Sequence, residues 1–240
     1  MKKITLILAA IAVCAGMLLT GCGENENGSD SNNNSNNSAD AENNGNDSSN
    51  DESGDNGDSS ADVKYTRSSI DENGKFVSEF LGIGADFNTD DWLDLGDDYL
   101  ATYNGGAETD EELMNRLENG DMLYEMMVGK ESGSNINIVI QNFGVLGLSF
   151  TEEEYIDTSL ETTAAQLEQS GIMTDPKASK SSVTFAGASR YALDVEGTSD
   201  DFNLYERIIV IKRGNYMGMI TITAQSAEER DEFTGLFYAL

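Results

Sequence analysis

An acidic segment at residues 86–97 has the residue types and the spacing of a calcium site. Its oxygen-bearing side chains fall at positions 1, 3, 5, 9 and 12 of the segment, as Asp86, Asn88, Asp90, Asp94 and Asp97. Calcium ions are bound by about 6–8 oxygen atoms, and twelve-residue calcium loops use this spacing. However, Asp91 stands at the sixth position, where glycine forms the sharp turn, and an aspartate at the twelfth position is short for bidentate binding. We therefore interpret the segment as a solvated acidic loop, keep these five residues as candidate calcium ligands, and predict no other metal site.

Histidine is absent from the chain, which limits the chemistry open to it. Histidine is the usual general base near neutral pH and the commonest zinc ligand, so a Ser-His-Asp triad, a Cys-His pair and an H-E-x-x-H zinc site are excluded. Carboxylate pairs remain, such as Asp194 with Asp200 or Asp201. Glycoside cleavage needs two carboxyl groups at a defined separation, which sequence spacing does not fix. We predict no catalytic residues and no cofactor, and keep a carboxylate-based hydrolase of the cell envelope as an alternative.

Three aromatic residues in or near the acidic segment, Trp92, Tyr99 and Tyr103, could form a platform for a sugar or a peptide. Aromatic residues beside a strand more often pack in the core or at its edge. We therefore expect these rings to belong to the core.

The first residues of the chain predict where the protein works. Lys2 and Lys3 precede an apolar run at residues 4–19, which is the order of a secretory signal peptide. The run ends in Leu19-Thr20-Gly21-Cys22, which resembles the lipobox of bacterial lipoproteins. The resemblance implies cleavage after residue 21 and a diacylglyceryl group on Cys22. An uncleaved membrane-spanning helix is the alternative, but the run is shorter than the ~20 apolar residues that a span requires.

Lipid on Cys22 would decide the location of the mature protein. Each buried CH₂ contributes about 0.8 kcal/mol, so that one acyl chain binds a membrane marginally and two chains bind it firmly. We expect the chain at the cell membrane, on the extracytoplasmic face, with membrane lipid as its partner through Cys22. The second cysteine, Cys14, lies in the signal peptide, so the mature chain is expected to have neither a disulfide nor a free thiol.

Charge is distributed unevenly along the precursor. Of its 44 acidic and 14 basic residues, residues 23–62 hold 11 acids and no base. With the two N-terminal lysines also set aside, residues 63–240 have 33 acidic and 12 basic residues, a net charge of −21. Such a domain repels phosphate backbones and anionic headgroups, so we predict no nucleic-acid partner and attachment through the lipid alone.

A change in composition near residue 63 predicts the domain boundary. Residues 23–62 consist almost entirely of Asn, Ser, Asp, Gly and Glu, which cannot bury enough apolar surface to offset the entropy of ordering. A flexible coil of this length would span about 35 Å. We therefore predict a signal peptide at 1–21, a lipidated cysteine with a disordered linker at 22–62, and one globular domain at 63–240.

Three helices are predicted from a capping-box pattern, in which a hydroxyl residue precedes a glutamate by three positions. The pairs are Thr109 with Glu112, Thr151 with Glu154, and Ser226 with Glu229. Apolar residues at helical spacing follow. On the second helix the stripe is Ile156, Leu160, Ala164 and Leu167, and on the third it is Phe233, Leu236, Phe237 and Leu240.

Period-two alternation predicts strands around these helices. We predict two hairpins, from residues 75–80 with 83–87 and from residues 122–128 with 135–141. Further strands are predicted at 183–185, 189–196, 205–212 and 216–224. Clean alternation and short turns are typical of antiparallel sheets with one covered face. The predicted fold class is α+β, a single antiparallel β-sheet with about three helices packed mainly on one face.

This element order resembles the small PsbP-like lipoproteins of Gram-positive bacteria. The features that carry the resemblance are Phe76, Gly82-Ile83 and Trp92 near the start and Lys212-Arg213-Gly214-Asn215-Tyr216 near the end. It covers roughly residues 63–240. The resemblance implies an antiparallel sheet flanked by helices and a mostly non-enzymatic domain, and it transfers no catalytic residues.

The function predicted from these patterns is that of a membrane-anchored extracytoplasmic lipoprotein. We expect a non-catalytic binding or accessory module, with an envelope or extracellular protein as a possible partner. Besides the carboxylate-based hydrolase, a substrate-binding lipoprotein of a transporter is an alternative. That class usually closes two lobes around a solute, whereas residues 63–240 are predicted to form one domain.

Overall fold

The computed structural model describes residues 65–199 and 202–240. The predicted signal peptide, Cys22 and the linker lie outside the described residues. Within the described part, no helix is long and apolar enough to cross a membrane.

A seven-stranded antiparallel sheet forms the centre of the domain. Its strand order is β4-β5-β6-β10-β9-β8-β7. The strands are β4 (Leu93–Asp94), β5 (Met122–Gly129), β6 (Asn135–Asn142), β7 (Thr174–Phe185), β8 (Ala188–Ser199), β9 (Phe202–Arg213) and β10 (Tyr216–Ala224). Both hairpins and every later strand that the alternation predicted are present, and β7, β8 and β9 are longer than expected.

A second, four-stranded sheet packs against the first, so the prediction of a single sheet is wrong. Its order is β1-β2-β3-β11. The strands are β1 (Ser69–Ile70), β2 (Lys75–Ser78), β3 (Ile83–Asp86) and β11 (Phe237–Ala239). The apolar residues around Phe237 have helical spacing in the sequence, but here they form a strand, with Phe237 opposite Ala85 of β3. Short apolar runs do not distinguish helix from strand, and this pairing is far away in the sequence.

Five helices are present in the described residues, two more than predicted. They are α1 (Asp97–Tyr103), α2 (Asp110–Glu118), α3 (Gly144–Ser149), α4 (Glu152–Gln169) and α5 (Ala227–Thr234). The predicted capping boxes at the starts of α2 and α4 are complete. At α5 the hydroxyl of Ser226 accepts from the N–H of Glu229 as predicted. The Glu229 side chain accepts from the N–H of Gln225, one residue before the cap.

Both faces of the large sheet are covered, because its central strands alternate two apolar sets. Ile138 and Ile220 belong to a core shared with the small sheet, α2 and α5. Val139 and Met219 belong to a second core shared with α1 and α4. The prediction of helices mainly on one face is therefore wrong. The central strands of the large sheet lie between these two cores. Strands that are covered on both faces need apolar residues on both faces.

The long helix α4 packs on the second core with a face slightly rotated from the predicted stripe. Ile156 and Leu167 are fully buried as expected, and Leu160 is only half-buried. The buried face includes Ser159 and Thr163, which are polar. The Thr163 hydroxyl donates a hydrogen bond to the carbonyl oxygen of Ser159 at 2.7 Å, within the helix. Because buried polar groups are tolerated when they are hydrogen-bonded, Thr163 can be buried here with little loss of stability.

Candidate functional site

Two depressions lie near β4 and β5, at one side of the large sheet. The first, the Trp92 pocket, has a volume of about 280 Å³. The residues that define its wall and floor are Trp92, Leu95, Met127, Lys130 and Asn135. The second, the Glu125 cleft, is a more open depression of about 680 Å³. Its charged residues are Arg67, Asp94, Asp97, Asp98 and Glu125.

The turn between β5 and β6 shapes one wall of the Trp92 pocket. The Lys130 N–H donates to the Ser134 carbonyl oxygen at 2.8 Å, and Gly133 adopts a positive φ of 99° that favours glycine. The Ser134 hydroxyl donates to Glu229 of α5 at 3.0 Å. The turn is thus fixed both to itself and to a neighbouring helix, which keeps Lys130 and Asn135 in place.

Trp92 and Lys130 form an aromatic–cation arrangement in this pocket. Trp92 is 8% exposed, and its ring packs edge-on against Phe233 at 4.7 Å between centroids. The Lys130 ammonium lies 5.0 Å from the Trp92 ring centroid and 4.8 Å from that of Phe233. Ammonium groups within about 6 Å of a ring face are attracted by its quadrupole. The rings therefore stabilise a positive charge at this position.

Asn135 lines the same pocket, but its register in β6 puts its side chain on the Val139 face of the sheet, opposite to Trp92. It is 5% exposed, its Nδ2 donates weakly to the Gly133 carbonyl oxygen at 3.4 Å, and its Oδ1 has no hydrogen-bond partner. Nδ2 of Asn137 and Oγ1 of Thr223, buried on the same face of the sheet, also lack partners. A buried polar group without a partner costs about 1–3 kcal/mol. Such a group in a native protein calls for an explanation, which a water molecule or a ligand can supply.

Acidic residues surround the mouth of the Trp92 pocket. Asp90, Asp91 and Glu131 line it and are exposed to solvent. Lys130 is its only basic lining residue. The side chain of Leu93, 60% exposed, adds an apolar patch beside these charges.

Glu125 is the central residue of the second depression, and it sits on a β-bulge. The pairing of β5 with β6 shifts register between Tyr124 and Met126, and Glu125 is the extra residue. Its carboxylate is 5% exposed and accepts hydrogen bonds from the Tyr65 hydroxyl and from the Ser68 N–H, the latter at 3.0 Å. The Ser68 hydroxyl donates to the Glu125 carbonyl oxygen at 3.0 Å. The residue therefore holds the start of the domain against β5.

Burial is the largest influence on the pKa values of Glu125 and Tyr65. It raises the pKa of Glu125, while the hydrogen bonds from Tyr65 and Ser68 and the charge of Arg67 oppose the shift. Burial and the neighbouring Glu125 charge raise the pKa of Tyr65 far above its usual range. Arg67 itself forms an ion pair with Asp97 at 2.8 Å. Both Glu125 carboxylate oxygens already accept hydrogen bonds from Tyr65 and Ser68. The carboxylate therefore has a structural role.

The five candidate calcium ligands are distributed over several elements. Asp86 ends β3, Asp94 ends β4 and Asp97 begins α1. Three of the five are engaged elsewhere: Asn88 accepts from the Asp90 N–H at 3.1 Å, Asp94 accepts from the Gly96 N–H at 3.0 Å, and Asp97 forms an ion pair with Arg67 at 2.8 Å. Within residues 65–199 and 202–240, no group of three acidic or other ligand side chains has an arrangement that could hold a metal ion.

Asp194, a residue of the carboxylate pairs considered above, lies in a buried ion-pair network. Arg207 binds it through two hydrogen bonds at 2.7 and 3.0 Å, and both residues are about 95% buried. Arg207 also donates to Asp231 at 2.8 Å and to Thr234 of α5. Burial lowers the pKa of Arg207, but hydrogen bonds and charge from Asp194 and Asp231 outweigh it and the pKa is raised. Asp200 and Asp201 lie outside the described residues.

The aromatic residues considered above separate in the structure. Trp92 joins the core of the small sheet and lines the pocket, whereas Tyr99 and Tyr103 pack together on the opposite face, beside Tyr124. Sequence reasoning did not single out Glu125, Asn135 or Arg207. A charged residue within an apolar strand was an available signal for Glu125 and Arg207. Asn135 lies in a regularly alternating strand and has no such signal.

Comparison with known proteins yields only loose likeness. No family model matches the chain, and no curated protein matches it. Among solved structures, it is similar to cyanobacterial PsbP (CyanoP) from Synechocystis sp. PCC 6803, with 11% identity over 69% of this chain and 91% of that chain and a TM-score of 0.42. A protein of unknown function from Pseudomonas aeruginosa has 19% identity over 39% of this chain and 61% of its own, with a TM-score of 0.27.

A third similar structure, from Bacteroides thetaiotaomicron, has 10% identity over 72% of this chain and 48% of that chain, with a TM-score of 0.37. The first of the three agrees with the loose PsbP-like resemblance of the sequence. All three TM-scores lie below 0.5, so nothing about ligands or partners follows from them.

Proposed function

We propose that the chain is a membrane-anchored extracytoplasmic lipoprotein whose domain is a non-catalytic binding module. The Trp92 pocket is its ligand site. The supporting observation is the lining of this pocket, in which the apolar side chains of Trp92, Leu95 and Met127 lie beside the Lys130 ammonium, with exposed acids at the mouth. Ligand pockets are typically lined by apolar and aromatic side chains with a few polar groups that fix orientation.

Two of the three buried carboxylates of the described residues, Asp194 and Glu125, lie in the hydrogen-bonded contacts described above. Asp194 is bound by Arg207, and Glu125 is bound by Tyr65 and Ser68. A hydrolase that runs on carboxylates needs two of them facing a substrate across a cleft. The acids of the Trp92 pocket lie instead at its exposed mouth, where they attract a ligand without being desolvated.

Anchoring follows from the residues before the domain. Lipid on Cys22 is the membrane attachment, and a linker at residues 22–62 keeps the domain clear of the headgroups. The module thereby works at the outer side of the cell membrane, within reach of an envelope or extracellular protein. The net charge of −21 over residues 63–240 favours partners with a positive surface.

The ligand site can be tested through Trp92, which is the only tryptophan of the chain. A screen of small molecules of each charge class should give saturable changes in tryptophan fluorescence with a matching rise in Tm, because a ligand of the folded state stabilises it. Leu95→Ala should weaken binding, whereas Leu148→Ala, at a leucine of α3 that is 61% exposed and lines neither depression, should not. A screen in which no class produces both effects would overturn the assignment of the pocket.

The anchor can be tested by metabolic labelling with an alkyne fatty acid. Wild type should be labelled and Cys22→Ser should not. Cys14→Ser is the matched control, because it changes the other cysteine of the chain and should leave labelling intact. Equal labelling of wild type and Cys22→Ser would contradict lipid attachment at Cys22.

A further inference from the structure

We propose that one end of the domain makes a second, reversible contact with the membrane that holds Cys22. The contact surface, which we call the α3 tip, consists of the exposed side chains of Val145, Leu148 and Leu240. The occupant of this surface is the apolar layer just below the lipid headgroups. The inference rests on the membrane anchor proposed above and is independent of the Trp92 pocket.

The exposure of α3 is unusual for a helix of an acidic domain. Val145 is 84% exposed and Leu148 is 61% exposed, and a spacing of three residues places both on one face of the helix. No acidic or basic residue occurs between residues 132 and 151. A surface helix normally turns its apolar face toward the core. Neighbouring aliphatic side chains that face outward instead mark a contact with a protein or a membrane.

Contacts on its inner side fix α3 to the large sheet. Gly147 packs so closely on the turn between β9 and β10 that a Cβ atom there would lie 2.5 Å from the Asn215 carbonyl oxygen. The Phe143 N–H donates to the same oxygen at 2.9 Å. The Lys212 ammonium donates to the Leu148 carbonyl oxygen at 3.1 Å. The helix therefore presents its outer face in a defined position.

The third apolar residue of the α3 tip lies at the same end of the domain. Leu240 is 58% exposed, and its N–H donates to the Gly82 carbonyl oxygen at 3.2 Å. Arg213, in the strand that leads into the β9–β10 turn, donates to the adjacent Leu81 carbonyl oxygen at 2.9 Å. The last residue of the chain and α3 are thus both arranged around this turn.

The chain also enters the domain near this end. The ring of Tyr65 contacts that of Phe80, which contacts that of Tyr216, each at 5.5 Å between centroids. Tyr216 pairs with Asn142, two residues before α3 begins. A flexible coil of about 40 residues between Cys22 and the domain spans about 35 Å. Such a linker lets the domain stand clear of the headgroups and also lets the α3 tip return to them. Because the tether makes this contact intramolecular, a weak surface is sufficient.

Charge restricts the contact to this end. The net charge of −21 over the domain opposes contact between most of its surface and anionic headgroups. The two acids that follow α3 are paired, since Arg190 donates to Glu152 at 2.8 Å and Lys180 donates to Glu153 at 2.7 Å. The α3 tip is therefore a place where apolar contact meets little electrostatic opposition.

The test uses the lipidated mature chain in phosphatidylcholine vesicles, with a fluorophore on Leu148→Cys. Lipids that carry a quencher near the top of the acyl chain should quench this fluorophore. Phe202→Cys is the control position, because β9 places it roughly 35–40 Å from Arg213, at the other end of the sheet, and it is itself 47% exposed. Its fluorophore should not be quenched. Absence of quenching at 148, or equal quenching at both positions, would overturn the proposal.

A second variant tests whether the apolar side chains make the contact. Val145→Asp, added to the labelled Leu148→Cys chain, should lower the inserted fraction by about tenfold or more, because burial of one aliphatic side chain contributes at least that factor. Leu93→Asp, at a leucine of β4 that is 60% exposed, should leave quenching unchanged. Quenching should also persist at about 0.5 M salt, which screens ionic contacts. Loss of quenching in salt would assign the contact to basic residues and overturn the apolar one.

Failure of this inference differs from failure of the anchor. If alkyne fatty acid does not label the wild type, the anchor fails and the α3 contact fails with it. If labelling succeeds and the fluorophore at 148 stays in water on protein-free vesicles, the inference alone fails, and the exposed face of α3 is left for a protein. Neither result alters the assignment of the Trp92 pocket.

Discussion

The two sides of the seven-stranded sheet treat buried polar groups differently. On the side of β8, β9 and α5 the buried polar groups are charged: Arg207 donates short hydrogen bonds to Asp194 and Asp231. Nε and Nη1 of the neighbouring Arg230 have no hydrogen-bond partner among the described residues and form only ion pairs of 3.6–3.8 Å. On the side of β4, β5 and β6, Glu125 is held by uncharged donors and Asn135 keeps an oxygen without a partner. Both depressions described above lie on this second side.

This difference indicates that the two sides of the sheet have separate roles, one in stability and the other in ligand binding. The network around Arg207 fixes the position of α5, because Arg207 of β9 bonds both Asp231 and Thr234 of that helix. Both depressions lie away from this network, beside β4 and β5. Stability and ligand binding are therefore separable by mutation, which the following changes test in order of decreasing effect.

The largest effect is expected for Arg207→Met. Removing one partner of a buried ion pair leaves Asp194 charged and buried, which typically costs about 3–5 kcal/mol. The free energy of unfolding, measured with urea, should fall by about that amount. Ligand binding at the Trp92 pocket should be unchanged in the fraction that remains folded.

Lys177→Met is the control for this change, because its side chain is 79% exposed and pairs loosely with Asp175 at 3.8 Å. It should leave the urea midpoint within experimental error. A fall for Arg207→Met no larger than for Lys177→Met would show that the network contributes nothing to stability and would remove the contrast between the two sides.

Two buried asparagines allow a closer comparison within the β4–β6 side. Asn104, 2% exposed, donates to the Tyr124 carbonyl oxygen at 3.0 Å and accepts from its N–H at 2.8 Å. Asn104→Ala leaves both backbone groups without this partner and should cost about 2–4 kcal/mol. Asn135→Ala removes only one weak hydrogen bond and an unsatisfied oxygen, and should change stability by less than about 1 kcal/mol.

Urea unfolding of the two variants side by side provides the measurement. Asn104→Ala should lower the free energy of unfolding clearly, whereas Asn135→Ala should leave it nearly unchanged. Equal destabilisation by the two changes would mean that Asn135 Oδ1 has a structural partner, such as an ordered water.

Local patterns were sufficient to predict much of the fold. Two of the three predicted capping boxes are complete, and alternating strands such as residues 216–224 have the predicted bounds. These features depend on neighbours a few residues away. The second sheet could not be predicted in this way, since Phe237 pairs with Ala85 across most of the domain. The spacing of the apolar residues around Phe237 fits a helix equally well, so only the pairing with the distant strand β3 decides that this segment is a strand.

The candidate site was less predictable than the fold. Trp92 was recognised as aromatic and was expected in the core, which is correct as far as its burial goes. Its position over Lys130 depends on the turn between β5 and β6, and the unpaired Asn135 oxygen depends on which atoms lie within hydrogen-bond distance. Neither quantity is encoded in residue spacing. Glu125 is different, because an acid in an apolar strand signals a partner without naming it.

The smallest effect, and the one whose sign is most informative, is expected for Glu125→Gln measured against pH. Burial raises the pKa of Glu125 in the folded protein above its value in the unfolded chain, which is about 4.3. Between these two values the folded protein keeps a proton that the unfolded chain has lost. The stability that Glu125 contributes is thus complete below pH ~4 and is lost as the pH rises through the folded pKa.

Glu112→Gln supplies the opposite sign on the same side of the sheet. Hydrogen bonds from the N–H groups of Glu108 and Thr109 lower the pKa of Glu112, so its contribution is present above the unfolded pKa and is lost on acidification. Urea unfolding at several pH values from about 3 to 8 should therefore show wild type losing stability relative to Glu125→Gln as the pH rises, and gaining it relative to Glu112→Gln at the acid end of this range. Slopes of the same sign for both variants would show that Glu125 is charged throughout. The contact of Glu125 with Tyr65 and Ser68 would then involve a charged carboxylate, as the network around Arg207 does. The contrast between the two sides would rest on Asn135 alone.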